Sequence, residues 1–160
     1  MAAAFDNTYP KAWTSCAVKS GTPTTGYIGK DWGSAAENKK KIAGFWIEGS
    51  SDDGLISTSG TTTVVLYGSD SAPSDSTDGT AITGGSFAAT DANSKEFYKF
   101  SGITTSTAYR YHWLEMSNSG GGGDIAAAQV QFYELTDVAN GIGGVTITPQ
   151  STGYAPAVRP

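Results

Sequence analysis

The side chains that enzymes use most often are scarce in this sequence. It has one histidine, His112, and one cysteine, Cys16, in 160 residues. It carries no G-x-S-x-G elbow, no H-E-x-x-H motif and no glycine-rich phosphate loop before a helix. The glycine run at 120–123 follows polar loop residues, which is typical of a flexible linker. We therefore expect a protein that is not an enzyme.

The acidic residues offer one position of interest. In the segment 126–135, alternation places Glu134 on the same side as Val130 and Phe132, which we expect to face the core. A carboxylate that points inward is costly unless it is paired or coordinates a cation. The acidic loops at 52–54 and 70–78 lack the spacing of a calcium-binding EF-hand, so we interpret them as solvated turns.

Short β-type runs must position these residues. Aromatic and β-branched residues cluster between turns rich in glycine, serine and threonine, which favours an all-β chain. The predicted strands are 27–32, 40–48, 62–69, 95–100, 107–116, 126–135 and 144–149. In 40–48, Ile42 and Trp46 are expected on one face and Phe45 and Ile47 on the other, as in a central strand. A weak helical pattern occurs at 33–40.

Seven or eight short strands separated by turns predict an antiparallel β-sandwich of the jelly-roll type. We expect the sandwich to span residues 1–142. A C-terminal edge strand and an extended tail should then occupy residues 143–160. The lone cysteine excludes an intramolecular disulfide and a thiolate zinc cluster.

Charge and hydropathy exclude several classes of partner. The net charge is −5, so there is no basic surface to neutralise phosphates, and nucleic-acid binding is not expected. No run of 18 apolar residues is present, so membrane insertion is not expected. The first residues show no basic region followed by an apolar run, so no signal peptide is visible.

Three segments together resemble the galactose-binding-domain-like family, also called the discoidin or coagulation factor type C fold. The first is AFDNTYPKAW at 4–13; the second is GYIGKDWGS at 26–34, followed by KIAGF at 41–45. The third is the pairing of TAYRYHWLEM at 107–116 with the closing strand AAAQVQFYEL at 126–135. Their order is similar to the family along residues 4–135, in a variant that resembles bacteriophage virion proteins.

The resemblance implies two sites. Asp6 in the opening loop and Glu134 in the last strand match positions that hold a structural calcium ion in many relatives, whose ligands are hard oxygen atoms. The alternative is a metal-free, hydrogen-bonded loop in which Lys11 neutralises a carboxylate, and both remain open.

Sugar-binding relatives recognise glycans with hydrogen-bond donors beside an aromatic platform. The resemblance therefore implies Arg110 and His112 as donors, with Trp13 or Trp32 as the platform. The alternative is that these are ordinary strand and core residues.

Two functions follow as expectations. The first is a structural component of a bacteriophage virion, assembled in the host cytoplasm: a head decoration, fibre or tail-appendage subunit. Its partners would be other virion proteins and further copies of itself, with adhesion to host-surface glycans as a secondary property. The second is a carbohydrate-binding module that adheres to cell-surface or matrix sugars.

Overall fold

Strands dominate the computed structural model of this chain, which describes residues 17–19, 25–49, 61–89, 96–99, 101–119, 125–136 and 146–149. A single-turn 3-10 helix at Ala36–Asn38 interrupts the strands. The strands, in chain order, are as follows. They are β1 (Ala17–Lys19), β2 (Thr25–Asp31), β3 (Ile42–Glu48), β4 (Thr62–Ser69), β5 (Thr80–Ala89), β6 (Glu96–Lys99), β7 (Tyr111–Asn118), β8 (Ile125–Ala127), β9 (Gln129–Thr136) and β10 (Thr146–Pro149).

The strands form two four-stranded sheets and one two-stranded sheet. One large sheet has the order β2-β7-β4-β5, the other has the order β10-β9-β3-β6, and β1 pairs with β8. All these pairings are antiparallel. The protein is therefore an all-β antiparallel sandwich, as the composition predicted.

The hydrophobic core lies between the two large sheets. In β4 every second residue is buried, and Val64 and Leu66 of that strand are fully inaccessible. They share one apolar cluster with Phe45 of the opposite sheet. Phe45 also stacks on Phe87 of β5, with ring centroids 6.0 Å apart. Burial of alternate β-branched and aromatic residues from both layers is what holds such a sandwich together.

A β-bulge changes the expected pattern in β3. The register with β9 shifts between Ile42 and Gly44. Because the extra residue reverses the alternation, Ile42 lies in the core on the same side as Phe45 and Ile47. The expectation that Ile42 shares a face with Trp46 is therefore wrong, since Trp46 is only half-buried. The prediction of a central strand is confirmed, because β3 lies between β9 and β6.

The expected pairing of 107–116 with 126–135 is also wrong as a hydrogen-bonded pair. β7 lies between β2 and β4, whereas β9 lies between β3 and β10 in the other sheet. The two segments meet across the core instead. The rings of His112 and Phe132 are 6.4 Å apart. A long connection places successive strands in opposite layers, which sequence order alone does not reveal.

The polar loop after β4 covers part of the outer surface of its sheet. Trp113 points away from the core, yet only 1 % of it is exposed. Its indole Nε1 donates to the carbonyl oxygen of Ser76 at 2.7 Å, and its ring stacks on Tyr67 with centroids 5.6 Å apart. The carboxylate of Asp78 accepts the backbone N–H groups of Ser74 and Asp75, which folds the loop into a tight turn. The loop is thus packed against the sheet.

At the chain's C-terminal side, β10 forms an edge of its sheet, in agreement with the predicted edge strand. Residues 150–160 and the proposed boundary at 142 lie outside the described residues. Between β2 and β3, the weak helical pattern at 33–40 corresponds only to the 3-10 turn at Ala36–Asn38. Over the described ranges, the search for a helix long and apolar enough to cross a membrane found none.

Candidate functional site

Polar and aromatic side chains gather where three strands of one sheet end. Asp31 is the last residue of β2 and Ser69 the last of β4, and both pair with Tyr111, the first residue of β7. Antiparallel pairing therefore brings the two neighbouring loops, with Asp70 and Arg110, to the same end of the sandwich. We call this group the rim. It consists of Lys30, Asp31, Trp32, Lys39, Asp70, Arg110 and Tyr111.

Arg110 is held in one orientation by two neighbours. Its Nε lies 2.8 Å from Asp31 Oδ1 and its Nη2 lies 2.7 Å from Asp31 Oδ2, so the contact is bidentate. Its guanidinium carbon is 4.6 Å from the centre of the Tyr111 ring. The hydrogen bonds from Arg110, together with the N–H of Gly33, lower the pKa of Asp31 to about 2. The side chain of Arg110 is 31 % exposed and that of Asp31 is 42 % exposed, so the guanidinium is fixed in place but remains accessible to solvent.

Asp70 ties the loop after β4 to the rest of the rim. One of its carboxylate oxygens accepts from Lys39 Nζ at 2.7 Å and the other from the backbone N–H of Arg110 at 3.2 Å. These two donors, Lys39 first, lower the pKa of the Asp70 carboxyl. Lys40 and Tyr109 exchange both backbone hydrogen bonds at 2.9 Å, which fixes the two strand entries side by side.

Trp32 links the rim to the core. Its ring meets Phe132 edge-on, with centroids 6.1 Å apart, and Lys30 Nζ lies 4.8 Å from its ring centre. Partial burial lowers the pKa of Lys30. The indole Nε1 of Trp32 donates to Nδ1 of His112 at 2.9 Å. Trp32 is therefore a rim residue whose indole N–H points toward the core.

His112 lies directly behind the rim and is completely inaccessible. Because its Nδ1 accepts the hydrogen bond from Trp32, the proton of the neutral ring is on Nε2. Among the described residues, Nε2 finds no hydrogen-bond partner. Burial lowers the pKa of His112 from 6.5 to about 3, so the ring is neutral at neutral pH.

The structure brings together only part of the residue set that the sequence suggested for glycan binding. Arg110 and Trp32 both belong to the rim. His112 lies in the interior, where its Nδ1 accepts from Trp32, so in this conformation it offers no donor at the surface. Trp13 lies outside the described residues.

The suggested calcium ligands are placed in part. Asp6 lies outside the described residues. Glu134 follows Val130 and Phe132 on the core side of β9 and is half-buried, as the alternation predicted. Its Oε2 lies 3.3 Å from Nζ of Lys40, so the inward carboxylate has a cationic neighbour in this chain. Within the described ranges, no three His, Cys, Asp or Glu side chains cluster closely enough to hold a metal ion.

Sequence reasoning missed five members of the rim, which are Lys30, Asp31, Lys39, Asp70 and Tyr111. Asp70 was interpreted as part of a solvated turn, and Asp31 was not named as a candidate. The available signal was position, because Asp31 ends one strand, Asp70 directly follows another and Arg110 directly precedes a third. Polar residues at neighbouring strand ends meet at one edge of a sheet, but that inference needs the strand order.

No family model, no curated protein and no solved structure matches this chain. A fixed guanidinium, two half-buried rings and carboxylates that accept hydrogen bonds suit recognition of a polar surface or of a polyhydroxylated ligand.

Proposed function

We propose that this chain is a non-catalytic structural component of a bacteriophage virion, such as a head decoration, fibre or tail-appendage subunit. It associates with other virion proteins and with further copies of itself, and contact with host-surface glycans is a secondary property. The observation that carries the proposal is the paired state of the rim. Asp31 with Arg110, and Asp70 with Lys39, form contacts of 2.7 Å that join separate loops.

Such pairing supports a structural role for a physical reason. A catalytic acid or base needs a pKa near the working pH and access to a substrate proton. The carboxyls of Asp31 and Asp70 are instead held below their ordinary pKa values by cationic partners. The ring of His112 is completely inaccessible. These groups fix the shape of the rim rather than transfer protons.

A second candidate function, a carbohydrate-binding module, is favoured by a separate observation. Arg110, Tyr111 and Trp32 are half-exposed at one end of the sandwich, with the guanidinium stacked on a ring. Sugars combine an apolar ring face with directed hydroxyl groups, so rings beside planar donors suit them. In this function the protein would act alone, as a monomer that adheres to a glycan.

Light scattering after size-exclusion chromatography, combined with a printed glycan array, separates the two candidates. The structural role predicts a defined assembly larger than one chain, with or without glycan binding. A protein that stays monomeric at every soluble concentration and binds a sugar would contradict the structural role and support the module. Arg110→Ala should abolish any glycan signal while the far-UV circular dichroism stays unchanged, and Glu37→Gln, on the exposed 3-10 turn, is the matched control.

A further inference from the structure

The segment between β2 and β3 lies over one end of the core. We call residues 32–39 the strap. Its only regular structure is the exposed 3-10 turn at Ala36–Asn38, and none of its residues is fully buried. Trp32, at its start, packs against the hydrophobic core. A segment that buries so little surface can open while the sheets stay folded.

Trp32 holds the first end of the strap against β7. Its backbone N–H donates to the carbonyl oxygen of Arg110 at 3.0 Å, and its indole N–H donates to Nδ1 of His112 at 2.9 Å. The next residue, Gly33, has a φ of 106°, a backbone conformation that residues with a side chain rarely adopt. Gly33 is therefore suited to act as a hinge.

Ion pairs hold the neighbouring residues and resist mild acid. At the second end of the strap, Lys39 Nζ lies 2.7 Å from Asp70, and Asp31, directly before the strap, binds Arg110. Both carboxyls have a pKa below the ordinary value, because cationic partners donate to them. They therefore stay ionised at about pH 5. Mild acid acts on the strap through the hydrogen bond between Trp32 and His112 instead.

That hydrogen bond cannot survive protonation of the imidazole. The neutral ring carries its proton on Nε2, so a second proton has to bind Nδ1. Nδ1 is the atom that accepts from the indole of Trp32. Once Nδ1 is a donor, the two N–H groups face each other and Trp32 has to leave. Nε2 gives no compensation, since it has no hydrogen-bond partner among the described residues.

The surroundings of His112 offer no partner to a positive charge while the strap is closed. The residues that face the ring are the strand partners Lys30 and Gly68 and the rings of Trp32, Tyr109 and Phe132. The titratable groups among them are the ammonium of Lys30 and the phenol of Tyr109, so none is a carboxylate. On β9 the next inward residue is Glu134, whose carboxylate has Lys40 Nζ at 3.3 Å. A charged imidazole is therefore stable only where water reaches it, which requires the departure of Trp32.

We propose that the strap is an acid-sensitive switch: when His112 takes up a proton on Nδ1, Trp32 leaves the core and the strap opens about Gly33. The end at Lys39 stays paired with Asp70. The opening is a property of the isolated chain and does not depend on the proposed function. Its consequence does rest on that function, because a partner bound at the rim would lose its contact with Trp32 in mild acid.

The size of the effect follows from proton linkage. With the strap closed, the pKa of His112 is about 3, against 6.5 for an unperturbed ring. The open form has the higher pKa, so it gains population as the pH falls through 6.5. Between about pH 7 and about pH 5, the ratio of open to closed strap rises by up to about 25-fold, the full value applying to a completely hydrated ring.

The test is residue-resolved hydrogen exchange of the full chain by NMR at these two pH values, with rates corrected for the intrinsic effect of pH. The protection of the backbone and indole N–H groups of Trp32 should fall by about 10-fold to 25-fold. Dilute urea should leave this protection unchanged, as expected for local opening. Equal protection of Trp32 at both pH values would overturn the inference. So would a loss with the same urea dependence as the amides of β4, because only global unfolding would then expose the imidazole.

Two variants identify the titrating group. His112→Gln keeps an acceptor for the indole but does not titrate, so the protection of Trp32 should become equal at both pH values. Glu37→Gln is the matched control, which removes a titratable group from the exposed turn of the strap and should respond like the wild type. An undiminished response in His112→Gln would overturn the inference.

The wild-type measurement decides on its own if His112→Gln does not fold. A strap that stays closed in acid overturns the switch and leaves the proposed function standing. Absence of the chain from phage particles would remove that function without changing the result for the strap.

Discussion

The buried imidazole of His112 predicts a loss of stability in mild acid. In the folded protein its pKa is about 3, against 6.5 for an unperturbed histidine. The folded pKa is the lower one, so the unfolded chain takes up the proton first as the pH falls. The stability that the neutral ring allows is therefore complete above pH 6.5 and is lost progressively toward pH 3.

The magnitude follows from the two pKa values. At about pH 5 the difference in proton binding lowers the free energy of unfolding by about 2 kcal/mol relative to neutral pH. For a chain of 160 residues, that is a decrease in melting temperature of about 4–8 °C. Besides burial, the structure gives a second reason why protonation of His112 is unfavourable: a proton on its Nδ1 would face the indole N–H of Trp32.

The assay is urea unfolding of the wild type and of His112→Gln at neutral pH and at about pH 5. Glutamine can accept the hydrogen bond from Trp32 but does not titrate, so the variant subtracts the contribution of all carboxylates. We expect the stability difference between the two proteins to shift by about 2 kcal/mol in favour of the variant as the pH falls. Equal pH dependence in both proteins would refute this reasoning.

Three further predictions concern packing and ion pairing. Gly29→Ala places a methyl group against the Cβ of Trp113 on the neighbouring strand and should lower the free energy of unfolding by at least about 2 kcal/mol in urea titrations; an unchanged midpoint would contradict the packing. Trp113→Phe removes the hydrogen bond to the Ser76 carbonyl and should cost about 2 kcal/mol, with faster proteolytic cleavage within residues 70–79 than elsewhere; unaltered cleavage would contradict the role of this tryptophan. Lys40→Met removes the ammonium that lies 3.3 Å from the half-buried carboxylate of Glu134 and should cost roughly 1 kcal/mol. If calcium restores the melting temperature of Lys40→Met and a chelator removes the effect, the calcium prediction gains support; no response to either removes Glu134 as a calcium ligand.

Alternation and turn chemistry were enough to predict the all-β sandwich and the position of several strands. The segment 62–69 coincides with β4, because Val64 and Leu66 alternate with half-exposed residues there. β5 was not anticipated, because its sequence TAITGGSFAA has two glycines in its centre and few large side chains. Gly84 adopts a φ of 74° and packs against Gly102. This is a tertiary contact, which no local sequence pattern predicts.

The candidate site was less accessible to sequence reasoning. Arg110 and Trp32 were candidates for glycan contact because of the family resemblance, and both belong to the rim. His112 was a candidate glycan donor and alternates with Trp113, yet both residues are buried, one in the core and one under a loop. Burial on both faces of β7 arises because the loop at 70–79 folds back over the sheet, and this depends on a contact between Ser76 and Trp113 that only the fold creates.

The proposed virion role is tested most directly by looking for this chain in the particles. Phage particles from a host that expresses the gene would be purified on a density gradient and digested for peptide mass spectrometry. If the chain is a virion component, its peptides should co-sediment with intact particles in a fixed ratio to the major capsid protein and persist after a high-salt wash. Recovery of the protein only in the soluble fraction, with none in the particles, would contradict it.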